Sequence, residues 1–226
     1  MKRTYAFIVL AGILLTSCNT ALPTTKTEQF FVQYTSASIP WLASLSNCAG
    51  STVVSTEQRG ADFLDLKSAS MVIRIGRADS LNGFAYQIGT DDLLVIVNSK
   101  NPTRSLTAEQ AHGLFSGQIQ NWKVINGNEA PVQVWVFPTG EDIQEIFDQT
   151  VLDGSPVSSE AFIATNPDEM MEAVGKDVSA IGIITHRWKT GNITSIYTVA
   201  SRLPVLVITL SKPQRTLDHI LACLQK

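Results

Sequence analysis

Hydrogen-bonding residues gather at four points where a strand should end. They are Thr35-Ser36-Ala37-Ser38, Ser55-Thr56-Glu57, Gly76-Arg77 and Phe137-Pro138-Thr139-Gly140-Glu141-Asp142. Hydroxyls, a guanidinium and glycine-exposed amides at such positions can hold a small polar solute by hydrogen bonds alone. In layered α/β proteins the ligand crevice lies outside the carboxyl ends of the strands, where helix N-termini converge. Thr35, Ser36, Ser55, Thr56, Arg77, Thr139 and Gly140 are therefore candidate ligand contacts. Trp188, just after an apolar run at Ala180–Ile184, joins them as a ring that could stack on a solute. Each serine or threonine taken alone also suits a helix cap or a turn. Repetition at four strand ends is what favours binding.

Covalent chemistry is hard to assemble. His112, His186 and His219 stand apart, without the His-Glu-x-x-His spacing that puts two ligands on one helix face. There is no Gly-x-Ser-x-Gly elbow and no Ser-x-x-Lys pair, and Gly175-Lys176 lacks the upstream glycine of a phosphate loop. Asp91-Asp92 and Glu141-Asp142 are adjacent pairs, and neighbours on a strand point to opposite faces. The reading is a binding protein rather than an enzyme, with no metal and no cofactor.

The elements that must position these residues alternate along the chain. Strands are expected at Phe30–Tyr34, Thr52–Ser55, Ser70–Ile75, Pro131–Phe137, Ala180–Ile184 and Val205–Leu210. Helices are expected at Pro40–Asn47, Gly140–Val151, Pro167–Val174 and Pro213–Leu224, with a helical turn or two at Ala61–Lys67. Alternation of this kind predicts α/β layers with mostly parallel strands flanked by helices. Leu93-Leu94-Val95-Ile96-Val97 is unbroken by charge and too short for a membrane span, so it reads as a strand buried on both faces. Asn101-Pro102 stops it. Thr107-Ala108-Glu109-Gln110 then forms a capping box that starts a short helix ending at Ser116-Gly117, with Trp122 as an anchor beyond. A strand leaving one body and at once starting another describes a crossover between two lobes. Thr139 and Asp142 are also spaced as a capping box.

The stretch from Val97 to Trp122 resembles the phosphate-type solute-binding proteins of bacterial ABC importers, which have the type II periplasmic-binding-protein fold. The resembling residues are Val97-Asn98, Asn101-Pro102, Leu106-Thr107, Glu109-Gln110, Leu114-Phe115-Ser116-Gly117, Ile119 and Asn121-Trp122. The resemblance implies two lobes joined by hinge crossover strands. The first would take 30–97, the second 98–197, and the chain would return to the first over 198–226. It also implies an ABC permease in the membrane as partner. Where phosphate binders carry an arginine and a Gly-Ser-Gly-Thr-like turn, this chain has Thr139-Gly140-Glu141-Asp142. Two carboxylates there repel an oxyanion, and Arg74, Arg77 and Arg187 are the cations that could offset them. The expected ligand is a small polar solute, an oxyanion being one form of it. A sensory or interaction lipoprotein that keeps the fold without transport is the alternative.

The ends of the chain speak to compartment. Lys2 and Arg3, an apolar run from Ala6 to Leu15 and then Thr16-Ser17-Cys18 make a secretory signal, far short of the ~20 residues of a span. Leu15-Thr16-Ser17-Cys18 looks like a lipobox. That resemblance implies a signal peptide over 1–17, an acylated Cys18 and a body held at the membrane on the extracytoplasmic side. Thr20–Glu28, with Pro23 and four threonines, is a tether over 18–29 with little to bury. Removing Lys2 and Arg3 from 17 basic residues leaves 15 against 20 acidic ones, a net charge of −5. A mildly acidic body without a basic stripe excludes nucleic acid as a partner. Cys48 and Cys223 are then an even pair. The resemblance places both in the first lobe, which implies a disulfide; two buried free thiols are the other arrangement.

Overall fold

The apolar run at 93–97 lies within the longest strand pairing of the molecule. In the computed structural model, which describes residues 29–50, 53–58, 60–77 and 81–226, the run belongs to β4 (Phe84–Asn98). All five side chains are buried, as expected for a strand covered on both faces. The first two strands, β1 (Phe30–Thr35) and β2 (Val53–Gln58), pair in parallel, and β1 pairs in parallel with β3 (Met71–Ile75). Beyond β4 come β5 (Gln133–Val136), β6 (Phe162–Ile163), β7 (Ala180–Thr185) and β8 (Ile193–Thr209). The eight strands form one sheet in the order β2-β1-β3-β8-β4-β7-β5-β6.

Both flanks of that sheet are parallel, as strand–helix alternation predicts. The centre is antiparallel: β8 lies between β3 and β4, and β7 pairs with β4 from Leu93 to Val97. Two long strands, β4 and β8, thus join a half built on β1–β3 to a half built on β5–β7. Their register breaks between Gln87 and Gly89 and three more times by Ile96. Bulges of this kind twist and bend a strand pair. Gly89 sits at the first break because Trp41 packs on it; a Cβ there would lie 2.1 Å from the indole.

Local chemistry explains the helices. α1 (Leu42–Ala49) follows a 3-10 turn through Ser36–Trp41. α2 (Ala108–Phe115) carries the expected capping box: the Gln110 amide donates to Thr107 Oγ1 at 3.2 Å, and Gln110 Oε1 accepts from the Thr107 amide at 2.9 Å. α3 (Asp142–Phe147) runs on into a π turn to Leu152, and α4 (Pro167–Lys176) has Asn166 as its N-cap with proline at N1. α5 (Thr216–Leu224) is tied to α1 by a Cys48–Cys223 disulfide, Cα–Cα 5.8 Å, closing a separation of 175 residues. In the chain-entropy account such a bridge contributes about 4–5 kcal/mol. Trp122 is buried and its Nε1 donates to the Ser179 carbonyl at 2.9 Å.

Four sequence expectations need correction. β2 does not stop at Ser55 but continues to Gln58, so Ser55 and Thr56 are mid-strand and exposed. β8 begins twelve residues before Val205, its first part, Ile193–Pro204, being a half-exposed ribbon of mixed polarity. The expected turns at Ala61–Lys67 reduce to a 3-10 segment at Ala61–Phe63. Thr139 and Asp142 form no capping box: α3 has Glu141 as N-cap with no side-chain cap bond, and the Asp142 carboxylate is engaged elsewhere. The signal, Cys18, the tether and Thr52 lie outside the described residues.

Candidate functional site

The ends of β1 and β3 meet the start of α3 in a buried contact between the two halves of the sheet. Thr35 ends β1 and Arg74 and Ile75 end β3, so parallel pairing brings all three to one edge. Asp142 projects into them from the other half. Thr35 Oγ1 donates to Asp142 Oδ2 at 2.5 Å, and the Ile75 amide donates to the same oxygen at 2.9 Å. Arg74 Nη2 lies 2.8 Å from Asp142 Oδ1, and both side chains are almost wholly removed from solvent, 5% and 0% exposed. Burial pushes the Asp142 carboxyl up, while the Arg74 charge and the Thr35 and Ile75 hydrogen bonds pull it back. Since Thr35 and the Ile75 amide donate and Arg74 brings a positive charge, the ionised carboxylate is the form that satisfies them.

Glu141 extends this contact. Ser36 Oγ donates to Glu141 Oε2 at 3.0 Å. Burial pushes the Glu141 carboxyl up from 4.5 to about 7, with the charges of Asp142 and Glu57 adding and the Ser36 bond opposing. Gly60 approaches the same turn: a Cβ there would lie 3.1 Å from the Gly140 carbonyl oxygen. Gly140 itself takes φ +93°, the left-handed region that lets the chain turn into α3.

Elsewhere between the halves a cavity of about 360 Å³ stays open. One wall is Ile39 and Glu57, from the half built on β1–β3; the other is Thr165, Asn166, Asp168 and Trp188. Trp188 also ties the walls together, its Nε1 donating to the Ala37 carbonyl at 3.3 Å. The Glu169 amide at the start of α4 donates to Asn166 Oδ1, while Glu169 Oε2 accepts from the Thr165 amide and hydroxyl. The cavity therefore presents carboxylates, an amide, a hydroxyl and an indole.

The expected contacts thus divide. Trp188 lines the cavity. Thr35 and Ser36 are buried and do not line it; they bond Asp142 and Glu141 instead. Ser55 and Thr56 point out from β2, and the cavity residue on that strand is Glu57. Arg77 is exposed just beyond β3. Thr139 lines a separate hollow of about 240 Å³ with Phe137, Gln144 and Ser158. Of the other cations, Arg74 pairs with Asp142, and Arg187 lies over the Trp41 ring at 3.9 Å. Glu57, Thr165 and Asp168 were missed because an acid inside a strand and a polar helix start carry no local sign of facing a cleft. Among the described residues no group of three or more His, Cys, Asp or Glu side chains is placed to hold a metal ion.

Comparison with known proteins places this architecture. The family described as a PBP superfamily domain matches residues 74–217, more than half of the chain. The protein belongs to the PBP superfamily. The PBP fold is shared with a putative phosphate ABC transporter substrate-binding protein with bound phosphate from Clostridium perfringens. That structure superposes with a TM-score of 0.76 at 16% identity, over 87% of this chain and 92% of the other. An ABC-type phosphate transport receptor from Vibrio cholerae gives 0.67 at 19% identity, covering 88% and 94%. An OxyR2 regulatory domain from Vibrio vulnificus gives 0.65 at 11% identity, covering 88% and 97%. Receptors and a regulatory domain are thus built on this one PBP scaffold, so role must be argued from the site.

Proposed function

We propose that this PBP-superfamily chain is a solute-binding protein that captures a small polar solute and delivers it to an ABC-type permease. It does so by binding rather than by catalysis. In this reading Cys18 carries a lipid that holds the body on the extracytoplasmic face of a membrane. Residues 30–97 and 198–226 form one lobe and 98–197 the other. The observation that carries the reading is the cavity walled by Ile39 and Glu57 on one side and by Thr165, Asp168 and Trp188 on the other. A solute there touches both halves only when they are closed, so its binding energy shifts the closure equilibrium about β4 and β8.

A thermal-shift screen of the mature protein against sugars, amino acids, phosphate, sulfate and molybdate tests this, since selective binding to the native state raises its melting temperature. One class should stabilise the protein and also compact it in small-angle scattering. Binding with an unchanged scattering profile sinks the closure step. No stabilisation by any class favours a second reading, a sensory or interaction lipoprotein without transport. The contact of Thr35 and Arg74 with Asp142 supports that alternative, because it holds the halves together with no solute.

A further inference from the structure

The geometry points to Asp142 as a built-in oxyanion: Thr35, Arg74 and the Ile75 amide form a receptor for a small carboxylate-like anion, which the chain fills from its own α3. Three features separate this from an ordinary ion pair. The groups come from the ends of two different strands and converge on one carboxylate: a hydroxyl at 2.5 Å and a backbone amide at 2.9 Å on Oδ2, and a guanidinium 2.8 Å from Oδ1. A hydroxyl, an amide and a fork-shaped cation are the donor set that recognises an oxyanion. The receptor is also dry, with Thr35 at 0% and Arg74 at 4% exposure. Finally, its occupant arrives from the opposite half of the sheet, as a solute entering between the halves would.

A tethered carboxylate competes with any free anion at very high effective concentration. Glu141, held by Ser36 beside it, adds a second acid that a free anion would have to approach. The wild-type protein therefore rejects small oxyanions at this receptor, and selectivity against them resides in one side chain. The conclusion stands whether or not the Trp188 cavity carries a solute.

Chemical rescue tests it. Asp142→Gly removes the tethered carboxylate and leaves room for formate or acetate. The variant should melt on the order of 10 °C lower than wild type. Formate or acetate at millimolar concentration should restore a large part of that loss, while chloride at equal ionic strength should not. Formate affinity should exceed that of wild type by at least about tenfold. The double variant Arg74→Met with Asp142→Gly should lose the rescue, because the cation is gone. If Asp142→Gly does not fold in buffer, its refolding yield in formate against chloride gives the same comparison. Asp142→Asn, which fills the space without charge, should show no rescue. Equal effects of formate and chloride on Asp142→Gly overturn the inference. So does formate or phosphate binding to wild type that Arg74→Met abolishes.

Discussion

Around Asp142 the site is dry, and the carboxylate takes hydrogen bonds from Thr35 and the Ile75 amide and an ion pair from Arg74. Beside Trp188 there is about 360 Å³ of open space between Ile39, Glu57 and Asp168. Both regions join the same two halves, and both use polar residues at strand ends or helix starts. At the first, the protein satisfies its own donors. At the second, its carboxylates and indole face an opening. The contrast teaches that a hydroxyl at a strand end does not by itself mark a ligand contact. What matters is whether the chain supplies the acceptor.

Three experiments break or sharpen that contrast. Asp142→Ala should have the largest effect, because it takes away the close partner of the buried Arg74 and leaves only Glu145, 3.8 Å away and half exposed. A loss of about 3–5 kcal/mol in denaturant unfolding is expected. A loss under about 1 kcal/mol would mean that this end is as wet as the other. Replacing Cys48 and Cys223 by serine removes a staple between α1 and α5, neither of which lines the Trp188 cavity. It should cost about 2–5 kcal/mol of stability while leaving solute binding at the Trp188 cavity intact. A smaller effect comes from Glu141. Its carboxyl titrates at about 7 in the folded protein against 4.5 ordinarily, so between those values the folded state holds more protons than the unfolded one. Its contribution to stability is therefore full below pH 4.5 and is lost as pH rises through about 7. Urea unfolding at a series of pH values should show this decline, and Glu141→Gln should flatten it. An unchanged slope in Glu141→Gln would place the carboxyl in water.

Features set by neighbouring residues were legible before any coordinates. The capping box at Thr107 and Gln110, the buried run at 93–97 and the Trp122 anchor are written in short windows, where local hydrogen bonding and apolar pattern suffice. The Cys48–Cys223 bridge followed from cysteine count and the family resemblance. Trp188 was legible as a residue just past a buried strand. The Asp142 receptor was not, because Thr35 and Asp142 are 107 residues apart and meet only through the fold. Glu141 and Asp142 already read as unfavourable to an oxyanion, but their partners could not be named. Glu57 was passed over because β2 was read as ending at Ser55, three residues early, and Ser55 and Thr56 look like turn residues. The early part of β8 was hidden by its half-exposed, mixed-polarity face.

The most direct test is a crystal structure of the mature wild-type protein with whichever compound stabilises it most in the thermal-shift screen. The account predicts that compound between Trp188 and Glu57, with Asp142 still held by Thr35, Ile75 and Arg74. A compound seated on Thr35 and Arg74, with Asp142 displaced, would contradict it.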